Sequence, residues 1–84
     1  MPEKTFQIEG ISPLEFYGTA NSNLTKIGEI FPKLKIVARG STIKAIGDVA
    51  ELSRFEDKLN SLFEYIYKYG HVSQEVVGQV MSGG

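Results

Sequence analysis

The sequence predicts an α+β fold: a two-layer sandwich with a three-stranded sheet and helices on one face, in the order β-α-α-β-β-α plus a C-terminal helix. Three observations carry that expectation. Residues 32–48, PKLKIVARGSTIKAIGD, read as two short strands folded on a tight turn at Gly40-Ser41. Leu52, Phe55, Leu59, Leu62, Phe63 and Ile66 repeat at spacings of three and four, the stripe of a helix that packs on a sheet. Near the start, Phe6 and Ile8 alternate with polar neighbours, which marks a third strand with one buried face.

In chain order, that first strand is expected over residues 5–10. Ser12 is placed to cap a helix, Pro13 suits its first position, and Glu15 completes a capping box. Gly18 follows Phe16 and Tyr17 at once, so the helix is brief, and Gly18, Thr19, Ala20 and Asn21 form a loop. A second helix over about residues 23–31 carries Leu24, Ile27, Ile30 and Phe31 on one face and stops at Pro32.

In the hairpin, Gly in the first central position of a two-residue turn is the type II′ signature. It sets Arg39 opposite Thr42, Ala38 opposite Ile43, Val37 opposite Lys44 and Ile36 opposite Ala45. One face then carries Leu34, Ile36, Ala38, Ile43 and Ala45. The other carries Lys35, Arg39, Thr42 and Lys44, with only Val37 and Ile46 apolar.

Asp48 and Glu51 make a second capping box, opening a helix over residues 49–69 that Gly70 ends in a left-handed conformation. A last helix over residues 74–81 is capped by Ser73 and presents Val76, Val77 and Val80. Gly78 inside it costs roughly 1 kcal/mol against alanine, so this helix needs a docking surface. Residues 1–81 are therefore expected to form one domain, and residues 82–84, SGG, a linker.

The hydrophobic share of 42% and charged share of 23% are those of a globular domain. With no cysteine there is no disulfide framework, thiol nucleophile or thiolate metal site, as in a reducing cytosol. No apolar run approaches the ~18 residues of a membrane span and no charged-then-apolar leader opens the chain, so no membrane partner is expected. The net charge is −1, yet residues 26–44 hold five bases against one acid, Glu29. Charge sorted in this way predicts a positive side.

Catalytic chemistry has little to work with. His71 is the only histidine and has no partner in sequence, and no phosphate loop, HExxH or nucleophile elbow is present. Tyr65, Tyr67 and Tyr69 are read as core and rim packing, spread around the long helix. The loop from Gly18 to Asn21 has a mechanism attached: backbone N–H groups at the start of the second helix, with the positive end of its dipole, favour an anion there. Lys26 lies one turn into that helix.

A helix, a Gly-x-x-(Gly) loop, a second helix, a hairpin and a long helix resemble the KH domain, an RNA-binding module that clamps the backbone of about four nucleotides at its loop. Here Asn21 stands where the second glycine would be. SPLEFYG (residues 12–18), Asn23-Leu24, FPKLKIVARG (residues 31–40) and IKAIGD (residues 43–48) look like the N-terminal domain of the PhoH-like protein family, over roughly residues 5–82.

That resemblance implies a KH-like, non-catalytic, cytoplasmic domain presenting single-stranded RNA to a P-loop ATPase domain of the same protein. ATP and Mg would belong to that other domain, and no cofactor or metal to this chain. Gly18, Thr19, Ala20 and Asn21 would approach a phosphate through their backbone beside Lys26, with Lys33, Lys35, Arg39 and Lys44 supplying a wider positive field. The alternative is a protein-docking or oligomerisation domain of the same ATPase that has lost RNA, or one engaging a protein partner in RNA processing. The missing second glycine and the net charge of −1 favour it.

Overall fold

The computed structural model describes residues 2–82. Its elements are β1 (Glu3–Gln7), α1 (Pro13–Tyr17), a 3-10 turn (Thr19–Asn21), α2 (Ser22–Ile30), β2 (Lys35–Arg39), β3 (Thr42–Ile46), α3 (Val49–Tyr69) and α4 (Gln74–Ser82). The three strands form one open antiparallel sheet in the order β1-β3-β2.

The β2–β3 register is the one that a two-residue turn dictates, with Arg39 opposite Thr42 and Ile36 opposite Ala45. Gly40 takes φ 56° at the turn, the left-handed value that position demands. Because side chains alternate along a strand, Phe6, Ile36, Ala38, Ile43 and Ala45 share one face, and all five join the core under the helices. Phe55 of α3 is at its centre, with the rings of Phe6 and Phe31 at 5.5 and 5.3 Å, edge on.

The long helix keeps its expected ends. Asp48 accepts a hydrogen bond from the Ala50 N–H at 3.1 Å, while Glu51 meets Arg54 at 3.5 Å instead of closing the expected capping box; Gly70, at φ 87°, donates its N–H to the Ile66 carbonyl at 2.6 Å. Leu52, Phe55, Leu59, Leu62 and Ile66 are its buried stripe. The Val76 N–H donates to the Ser73 hydroxyl oxygen at 3.3 Å, which starts α4 as expected. Helix α4 buries Val77 and Met81 against α2 and α3, the surface that Gly78 made necessary.

Four more local readings need correction. The first strand spans Glu3–Gln7 rather than residues 5–10, because its partner ends where the hairpin turns. The Ile8 N–H reaches the Ser41 carbonyl at 2.7 Å, and beyond it no strand remains to pair with. Ser12 makes no side-chain cap; its carbonyl accepts from the Phe16 N–H, and α1 is held chiefly by burial of Phe16 and Tyr17. Tyr65 and Tyr69, four residues apart, share one side of α3 with ring centroids 4.5 Å apart, so they are not spread around it. Ser82, read as linker, is the last residue of α4, and residues 83–84 fall outside the described residues.

Candidate functional site

Two short helical segments meet at Gly18, which has φ 81° and ψ 174°, a combination open to little besides glycine. A Cβ there would lie 2.9 Å from Ser22 Oγ and 3.0 Å from Asn23 Cγ, so the first residues of α2 pack directly on it. Ala20 and Asn21 follow at φ 53° and 61°, both left-handed and both exposed. The Asn21 N–H closes the turn on the Gly18 carbonyl at 3.0 Å.

Asn21 gives α2 no side-chain cap, and the Gly18 N–H donates to the Leu14 carbonyl at 3.0 Å, so the amides of Gly18 and Asn21 are both engaged within the junction. Asn23, 2% exposed, donates from Nδ2 to the Phe16 carbonyl at 3.1 Å and fastens the end of α1 to α2. The Tyr17 hydroxyl donates to the Gly40 carbonyl at 2.7 Å, tying the same junction to the hairpin turn. Burial pushes that hydroxyl above the ordinary tyrosine value near 10.

Beside the turn lies an open cleft of about 460 Å³. Leu14, Gly18, Ser22 and Asn23 form one wall; His71, Val72, Ser73 and Gln74 form the other. His71, which has no partner in sequence, is part of the cleft wall, brought there by α3 ending and α4 beginning beside α2. Leu14 is 81% exposed at its mouth, an apolar side chain that the sequence analysis did not single out. Its neighbour Glu15 also lines the cleft and is its one carboxylate.

The nine predicted site residues do not share a surface. Gly18, Ala20 and Asn21 stand together at the turn with the backbone of Thr19. Lys26 turns toward α4: a Cβ on Gly78 would meet its Cε at 3.0 Å, and it shares a shallow depression with Ile30, Glu75 and Gln79. Lys33 is exposed in the connection between α2 and β2. Lys35, Arg39 and Lys44 occupy the face of the sheet away from the helices. Strand alternation is the physical reason, since Ile36, Ala38, Ile43 and Ala45, which point the other way, are the ones packed into the core.

Among the described residues, no cluster of three histidine or acidic side chains is placed to hold a metal ion, and no helix is long and apolar enough to cross a membrane. Comparisons with protein-family models, curated proteins and solved structures found no match.

Proposed function

We propose that this chain is a KH-like, non-catalytic accessory domain that holds single-stranded RNA for a PhoH-like P-loop ATPase. ATP and Mg are assigned to that ATPase domain and to no residue here. The observation that carries the reading is the turn itself. Ala20 and Asn21, exposed and left-handed, lead into the start of α2, which has no side-chain cap, beside a cleft with an exposed leucine. Backbone amides at a helix start favour a phosphate, and Leu14 offers an apolar surface to a base. With the lysines of the sheet on the far side, the contact is made by few cations, which predicts a shallow dependence on salt.

The test is the affinity of labelled single-stranded RNA for the chain and two loop variants. Ala20→Asp keeps a residue that tolerates the left-handed region and sets a carboxylate at the turn, so binding falls at least about tenfold. Asn21→Gly restores the second glycine and tightens binding. The log–log slope against salt is about −0.7 per phosphate neutralised, corresponding to one or two phosphates. Equal affinity of all three proteins would refute a contact at this turn.

A second reading, protein docking, is favoured by one observation: the cleft carries Glu15, while the basic residues of the hairpin gather on the outer face of the sheet and none lines the cleft.

A further inference from the structure

We infer that the outer face of the sheet is a docking surface for an acidic, partly apolar polypeptide segment. This gives the docking reading a surface and a partner chemistry, and it stands whether or not the Gly18 turn binds RNA.

Lys44 of β3 lies opposite Val37, so Lys35 and Arg39 of β2 are both its diagonal neighbours. Such positions are roughly 7–8 Å apart. Three cations are thus held around one valine, and their mutual repulsion opposes folding. Little within the chain relieves it. Lys44 meets Glu3 at 3.2 Å in an exposed pair, and among the described residues neither Lys35 nor Arg39 has a carboxylate within 4.0 Å. Exposed pairs of this kind contribute little.

Between the cations the face is apolar. Val37 and Ile46 are diagonal neighbours, both half-buried, on the floor of a shallow depression of about 300 Å³ bordered by Thr5. Cation and aliphatic side chain therefore alternate along β2 at Lys35, Val37 and Arg39 and across the pairs Lys35–Ile46 and Val37–Lys44, with Thr42 opposite Arg39. The complementary surface alternates carboxylate with aliphatic side chain. That is the pattern of an acidic strand or of one face of an acidic amphipathic segment. RNA fits less well. A sheet that binds RNA stacks bases on aromatic rings, and no aromatic residue occupies an outward position on these strands.

The test uses the whole chain, nitrogen-15 labelled, and three probes: a short synthetic peptide alternating glutamate and valine, its lysine-valine counterpart, and single-stranded RNA. The glutamate peptide is expected to shift amides at Lys35, Val37, Arg39, Lys44 and Ile46, and the lysine peptide to shift none of them. Arg39→Glu with Lys44→Glu should weaken glutamate-peptide binding at least about tenfold. Val37→Thr, which keeps shape and strand propensity, should weaken it about threefold. Circular dichroism melts confirm that the variants fold, and the wild-type titration decides the question if they do not. Silence toward the glutamate peptide, or a response on this face to RNA instead, overturns the proposal. Responses at Gly18 to Asn21 report on the RNA reading separately.

Discussion

At the Gly18 turn the polar groups offered outward belong to the backbone. On the outer face of the sheet they belong to long cationic side chains. The turn is specified by local conformation, with φ values of 81°, 53° and 61° at Gly18, Ala20 and Asn21. The sheet face is specified by register, because a two-residue hairpin decides which of Lys35, Ile36, Val37, Ala38 and Arg39 point out. The contrast teaches that a charge run along a sequence is not a charge cluster in space. Five bases lie within residues 26–44, yet the fold sends Lys26 to α4, leaves Lys33 in a connection and sets three on the far side of the sheet.

The two regions share a scaffold, so the largest effect comes from removing it. Phe55→Ala deletes the ring between Phe6 and Phe31 and should cost about 3–5 kcal/mol, read as a lower urea midpoint. Both proposed contacts should be lost together in that variant. Gly18→Ala separates them. It forces a side chain into a left-handed residue and against Asn23, at a cost of about 1–3 kcal/mol. RNA response at the turn disappears while the sheet face keeps its ligand.

Tyr17→Phe is smaller, about 1 kcal/mol for one lost hydrogen bond to Gly40. It also carries a pH signature. The buried hydroxyl ionises above the ordinary value near 10, whereas the unfolded chain ionises at that value. The stability Tyr17 confers is therefore complete below pH ~10 and is lost as pH rises from there through the folded value. Denaturant midpoints collected across that range should fall less steeply for Tyr17→Phe. Smallest is Gly78→Ala. Alanine favours the helix by roughly 1 kcal/mol, and the facing atom is the mobile end of Lys26. A melt should show a net gain below about 1 kcal/mol with no change at either surface.

Much of the scaffold was legible because its signals are local. Gly40 and the period-two alternation fix the hairpin register, and Asp48 and Gly70 bound α3. What was not legible depends on distant partners. β1 starts earlier than its own pattern suggests because β3 sets how far it can pair, and no residue of β1 reports that length. The direction of Lys26 follows from α4 docking at Gly78, 52 residues later in the chain. His71 reaches the cleft only through the turn between α3 and α4. Asn23 looked like an ordinary early helix residue, and nothing beside it announced that burial would aim its amide at the Phe16 carbonyl. Leu14 stayed unnoticed since an apolar residue in a five-residue helix reads as core, although it faces solvent.

The proposed RNA contact is at the Gly18 turn and not on the cationic face of the sheet. A nitrogen-15 amide titration with single-stranded RNA at low salt tests this directly. Shifts centred on Gly18, Thr19, Ala20, Asn21, Ser22 and Asn23, with Lys35, Arg39 and Lys44 unmoved, are the predicted result. Shifts centred on those three strand residues, or none at the turn, would contradict it.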